Sequence, residues 1–431
     1  MLSVFGRAFR TPDLRRKLLF TLAIITLFRI GAVMPVPGVD YGAIQVCLDQ
    51  VSDNSLYGLV NLFSGGALLQ LSIFALGIMP YITASIIVQL LTVVIPRFEA
   101  LRAEGSEGQS QLTQYTRYLT IGLAILQSTA LVAIAQTPGQ LFQGCNEDLV
   151  PVDDIWVLAL MVTTMTAGTA VIMWLGELIT DRGVGNGMSL LIFTSIVAGF
   201  PGSVWAIYRT NGWLVFAVVI AVGLALVAGV VFVEQAQRRI PVQYAKRQVG
   251  RRQYGGTSTY IPIKVNQAGV IPVIFGSSLL YLPSLLVQIA GTDSGWAQWL
   301  QRYFVNTDNA LYVAIYFALI VFFTYFYVAI TFNPTEVADN MKKYGGFIPG
   351  IRPGRPTAEY LEYVLSRLTA AGSLYLGVIA VIPIIAFGLI NASQNFPFGG
   401  TSILIMVGVG LDTVKQIESQ LQQRNYEGFL R

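Results

Sequence analysis

The chain has 431 residues, of which 54% are apolar and only 12% charged, with a formal charge of +4 and no histidine. Soluble proteins carry about 25% charged residues, so a soluble enzyme and a disordered chain are both excluded. The missing histidine removes the commonest general base and a common metal ligand together, and two cysteines cannot build a disulfide framework or a zinc site.

A bilayer crossing takes about 20 apolar residues. The apolar runs predict ten spans near 18–35, 72–95, 118–136, 155–175, 188–203, 213–233, 268–290, 310–332, 369–390 and 401–419. The fold class is therefore an all-α polytopic membrane protein. Residues 1–17 lack an apolar stretch and no small-residue cleavage site follows span one, so the start does not read as a cleavable signal peptide. Of the 27 lysines and arginines, 24 fall in the N-terminal segment, the alternate connections and the C-terminal end. Only Arg209 and Arg302 lie on the opposite side, and Arg29 lies within span one. The positive-inside rule then puts both termini in the cytoplasm.

Residues 56–95 are apolar for about 40 residues, some 60 Å of helix and twice a bilayer core. Gly65, Gly66 and Pro80 interrupt the run. Its flanks differ: 36–55 has three aspartates and no lysine or arginine, whereas 96–117 has three arginines. The run therefore crosses once, and the surplus at 56–71 reads as a re-entrant half-helix entering from outside, packed in protein or lining a cavity. A long tilted helix partly in the interface is the alternative, and two adjacent glycines count against it. Cys47, before this element, and Cys145, between spans three and four, both fall on the non-cytoplasmic side, where disulfides persist. They either pair, tying the element's approach to spans three and four, or face outward as free thiols.

Five spans precede the 204–212 turn and five follow it. The halves, 1–203 and 204–431, thus enter the membrane from opposite sides, as in an inverted repeat with a site between the halves. Two connections in the second half, 234–267 and 333–368, are too large and basic to be simple turns. In the first, alternating apolar residues at Ile240–Tyr244 and Tyr260–Val265 flank Gly250-Arg251-Arg252-Gln253-Tyr254-Gly255-Gly256 and predict a hairpin with an arginine-bearing tip. In the second, glycine and proline bracket Arg352 in a stiff exposed turn.

Several words in order resemble one known family: Asn61-Leu-Phe-Ser-Gly-Gly66-Ala, Ala75-Leu-Gly-Ile-Met-Pro80-Tyr-Ile, Gly176-Glu-Leu-Ile-Thr-Asp-Arg-Gly-Val-Gly185-Asn-Gly187, Lys246-Arg, Gly350-Ile-Arg352-Pro-Gly and Phe398-Gly-Gly-Thr. The chain resembles the SecY/Sec61-alpha family of protein-conducting channels, in its bacterial branch, from about residue 14 to 420. The resemblance implies a ten-helix clamshell of two inverted five-helix halves, and makes 56–71 a plug that includes Asn61, Phe63, Ser64, Gly65 and Gly66. It places an apolar pore ring on Ile78, Ile82, Ile192, Ile274 and Ile405, where a narrow neck dewets yet deforms around a passing chain. It places Gln89, Gln127 and Asn266 along a lateral gate, although polar side chains in spans also serve as ordinary interhelical glue.

The resemblance also assigns Arg251, Arg252 and Arg352 to docking a ribosome, through its RNA phosphates, or a motor; the positive-inside bias alone would also put arginines in these loops. It implies a channel in the plasma membrane that passes unfolded secretory and membrane precursor polypeptides and releases hydrophobic segments into lipid. The implied partners are the SecE and SecG subunits, the SecA motor ATPase and the ribosome. No cofactor and no catalytic group is expected, because no G-x-x-x-x-G-K phosphate loop is present and a partner must supply the work. A secondary transporter of small solutes is the alternative function. It normally needs buried carboxylates near the midplane, whereas Glu177, Asp181 and Asp412 lie towards the cytoplasmic ends.

Overall fold

The computed structural model describes residues 9–50, 65–137, 145, 147–151, 154–244, 247–249, 252–254, 258–290, 294–305, 309–390 and 400–427. Helices dominate: α1 (Pro12–Val33), α2 (Tyr41–Gln50), α3 (Met79–Val94), α4 (Pro96–Ala103), α5 (Ser106–Ala135), α6 (Ile155–Arg182) and α7 (Gly187–Gln235). A strand region follows, with β1 (Gln237–Tyr244), β2 (Arg247–Val249), β3 (Arg252–Tyr254) and β4 (Ser258–Lys264). Then come α8 (Ile271–Ala290), α9 (Gly295–Leu300) with a π-turn at Gln301–Val305, α10 (Ala310–Thr331), α11 (Pro334–Lys343), β5 (Gly346–Phe347), α12 (Arg355–Ile390) and α13 (Gly400–Glu427).

The helix starts are written locally. Side chains of Asp154, Asn186, Asn309 and Asn333 accept from the first free N–H groups of α6, α7, α10 and α11, and Asp40 does the same for α2. Among the described residues, five stretches are long and apolar enough to cross a membrane: Ser106–Ala135, Ile155–Arg182, Phe216–Gln235, Ala310–Lys343 and Arg355–Ile382. The pair α3 and α4, bent by 99°, makes a sixth if counted as one span. Helices cover other expected spans too; α1, for example, carries Arg15, Arg16, Lys17 and Arg29, and α8 (Ile271–Ala290) has no charged residue. The chain is thus a helical, multi-pass membrane protein.

Three expectations change. Span two does not begin at 72 as a helix: residues 65–78 run as turns, with an antiparallel bridge between Pro35 and Ser72, and α3 starts at Met79. The expected half-helix at 56–71 falls largely outside the described residues, and its last part, 65–71, is turn rather than helix. The expected turn at 204–212 is helical up to Gly212, where φ 76° and ψ 176° divide α7 into two helices.

The all-α expectation also needs a small addition. β1 and β4 pair antiparallel with Ile240 opposite Ile261, close to the expected hairpin, and β2 pairs with β3 further out. β5 adds to the other edge of β1, giving the order β4-β1-β5. The two basic connections therefore share one sheet. Ile240, Val242 and Ile263 pack its buried face against Val328, Met341, Leu361 and Leu365 of the helices beneath.

Candidate functional site

Five isoleucines meet in one place. Ile78 precedes α3 and Ile82 lies one turn into it, while Ile192 comes from α7, Ile274 from α8 and Ile405 from α13. All five are at most 8% exposed and belong to one apolar cluster with Phe74, Phe275 and Phe323. Residues from both sides of position 204 contribute, so the cluster joins α3 to α7, α8 and α13. Branched aliphatic side chains packed this way exclude water and ions without recognising any chemical group.

A strapped segment leads into this cluster. Val36 N–H donates to the Leu71 carbonyl at 3.0 Å and Ile73 N–H to the Met34 carbonyl at 2.9 Å. Arg29 Nη1 donates to the Gly65 carbonyl at 3.0 Å. Gly65 has φ +68°, and a Cβ there would come within 2.8 Å of that guanidinium and 3.0 Å of the Ser195 backbone, so the position admits only glycine. Of the plug residues expected from the sequence, Gly65 and Gly66 are described; Asn61, Phe63 and Ser64 lie outside the described residues.

Nearby, Cys47 of α2 and Cys145 form a disulfide with Cα atoms 5.4 Å apart. Both are buried, in a second cluster that includes Leu68, Leu71, Leu131 and Met161. Asp40 N–H also donates to the Leu149 carbonyl, at 3.0 Å, so the approach to residues 65–78 is held at two points to the connection before α6.

The polar residues assigned to a gate are only partly brought together. Gln127 in α5 is buried and Gln89 in α3 is half-buried, and both helices pack against α8. Asn266 instead bonds within the stretch that joins α7 to α8. Its Nδ2 donates to Glu234 at 2.6 Å and to the Gly269 carbonyl at 3.0 Å, so its hydrogen bonds reach neither α3 nor α5. Glu234 was not singled out from the sequence; its place at the end of an apolar run was the available signal. Arg117 of α5 and Glu177 of α6 form a bidentate pair at 2.8 and 2.7 Å, which fixes those helices to each other.

In the basic loops, Arg352 is exposed on a turn closed by Thr357, whose hydroxyl donates to the Arg352 carbonyl at 2.9 Å. Arg252 begins β3, opposite Val249, and Arg251 lies outside the described residues. Among the described residues, no three of His, Cys, Asp or Glu gather where a metal ion could be held.

Comparison with known proteins extends over the whole chain. The family model described as SecY matches residues 72–414. A protein of Streptomyces scabiei named protein translocase subunit SecY is 68% identical over 438 residues, covering all of both chains. One of the same name from Mycobacterium tuberculosis is 61% identical over 442 residues, again with full coverage of both. Among solved structures, one described as a protein conducting channel aligns with TM-score 0.65 and 18% identity, over 94% of this chain and 91% of the other. The channel of a canine ribosome-channel complex from the endoplasmic reticulum aligns with TM-score 0.61 and 17% identity over the same shares. At these identities the structures speak for the fold.

Proposed function

The chain belongs to the SecY family, and from that premise we propose that it is the pore-forming subunit of a protein translocase in the plasma membrane. It conducts unfolded secretory polypeptides and lets hydrophobic segments leave sideways into lipid. The observation that carries this reading is the full-length relation to proteins named as translocase subunits. The buried convergence of Ile78, Ile82, Ile192, Ile274 and Ile405 supports it, because an apolar neck between two halves suits a seal that must open for many sequences.

In this reading the halves are 1–203 and 204–431, of five spans each, with both termini in the cytoplasm and residues 56–71 as the plug. Gln89 and Gln127 line the side from which segments depart, facing α8. Asn266 serves the same gate indirectly, by fixing the start of α8 through Glu234. The subunit performs no chemistry itself. SecE and SecG complete the channel, and the SecA motor or the ribosome drives it, docking on Arg251, Arg252 and Arg352.

The test is reconstitution into vesicles with those subunits, the motor and a secretory precursor. Protease-protected precursor inside the vesicles is the expected result. Uptake of small solutes with no protected precursor would overturn the reading.

A further inference from the structure

Arg102 Nη2 donates a hydrogen bond to the main-chain carbonyl of Ile330 at 2.6 Å, linking residues 228 positions apart. It joins the elbow between α3 and α5 to the end of α10, and so ties the two halves together on the lysine- and arginine-rich side.

Both ends of the bond are built for it. The last carbonyls of a helix lack intrahelical donors, and the residue four positions beyond Ile330 is Pro334, which has no N–H to offer. That end of α10 is also the negative end of its dipole, which favours a cation. Arg102 is carried on a stiff arm. α4 leaves α3 at 99°, and Phe98 packs on Tyr115 of α5 with ring centroids 5.3 Å apart. At Gly108 the Leu101 carbonyl comes so close that any Cβ would collide with it, which locks α4 against α5.

We propose that Arg102 is a hasp on the lateral seam: its bond to Ile330 holds α10 to the N-terminal half in the idle channel, and its strength sets how apolar a segment must be to leave sideways. This rests on the lateral-release reading above and adds the residue that tunes it. α8 packs against α3 and α5 on one side and α10 on the other. A segment passing between α3 and α5 and the α8–α10 pair therefore has to part Arg102 from Ile330. Arg102 is exposed, so the bond is that of one charge-assisted contact in water, roughly tenfold in the closed-to-open ratio. That ratio is comparable to the effect of a few leucines in the departing segment.

The experiment uses the complete translocase and a series of test segments with rising leucine content, scored as integrated into lipid or exported. With Arg102→Ala, half-integration should need about two fewer leucines, and Arg102→Lys, which keeps a charged donor, should stay near the original curve. An Arg102→Ala curve that superimposes on the unaltered protein overturns the hasp. If the unaltered protein integrates no segment at all, the lateral-release reading fails instead. A second measurement does not depend on the alanine variant assembling well. Ala103→Cys with Thr331→Cys, which leaves Arg102 in place, bridged by a short bis-maleimide, should cross-link in the idle channel, lose cross-linking when a segment is stalled inside, and cross-link less in the idle channel once Arg102→Ala is added. Equal cross-linking in both states overturns the proposal.

Discussion

Arg29 and Gly65 are joined across 36 residues of chain by a guanidinium-to-carbonyl hydrogen bond of 3.0 Å. Arg29 was legible in the sequence as a charge deep inside an apolar span, yet nothing there disclosed what it holds. Its bond fastens the start of the strapped segment to α1. Replacing Arg29 with leucine should release that end and raise ion leak through the idle channel by roughly tenfold, the worth of one charged hydrogen bond. Single-channel recording in planar bilayers measures it, and an unchanged leak would remove Arg29 from the closed state.

Ile82 of α3 and Ile274 of α8 share one buried apolar cluster. A hydroxyl in place of either side chain gives water a partner and removes branched volume. Ile82→Ser and Ile274→Ser should each increase idle conductance, with the double variant higher than either. Conductance equal to the unaltered protein in both single variants would deny the cluster its sealing role.

The Cys47–Cys145 disulfide closes a loop of 98 residues. In the chain-entropy model a bond of that span stabilises by at most about 4–5 kcal/mol. Cys47→Ser with Cys145→Ser should lower thermal stability of the purified protein, and neither thiol of the unaltered protein should react with an alkylating agent until a reductant is added. Labelling of both without reduction would contradict the bond. This pairing was half legible: charge placement put both cysteines on one side, but only the fold brings their Cα atoms to 5.4 Å.

Gly187 sits where α7 begins against α6, and a Cβ there would fall on the Gly176 carbonyl, while one at Gly176 would meet the Met188 side chain. Gly187→Ala should cost about 2–3 kcal/mol or more, since backbone cannot yield as a side chain does. Thermal unfolding in detergent and the amount of assembled protein in membranes report it. Behaviour like the unaltered protein would mean that the two helices separate freely.

Arg352 projects from a turn bound by its own carbonyl and Thr357. Arg352→Glu should slow motor-driven export by tenfold or more while the protein still assembles, because it replaces a donor to carboxylates or phosphates with a repelling charge. Arg251→Glu and Arg252→Glu should act in the same direction. Export rates unchanged in all three would separate these loops from the driving partner.

Apolar runs were sufficient to find the long helices, because a bilayer span demands about 20 apolar residues wherever it occurs, but not the short ones such as α2, α4, α9 and α11. They misplace the start of α3, since Ile73, Phe74 and Leu76 are as apolar in turns as they would be in a helix. The bridge from Pro35 to Ser72, which keeps this stretch from being helical, is a long-range pairing that no local pattern records. The five isoleucines were nominated by resemblance alone, as apolarity cannot distinguish a neck from a lipid-facing surface. β5 escaped notice because two residues, Gly346 and Phe347, carry no period. Arg102 escaped for a different reason: Pro334 marks Ile330 as a carbonyl in want of a donor, but not which of the many arginines supplies it.

The edge pairing of β5 with β1 has a mechanical meaning. β1 runs on from α7, β4 leads towards α8, and β5 lies between α11 and α12, so one sheet yokes four helices. A partner that grips the turn at Arg352 also pulls on the 234–267 hairpin through main-chain hydrogen bonds, and the reverse holds. Load placed on either connection is therefore shared by both, and reaches all four helices whichever connection receives it.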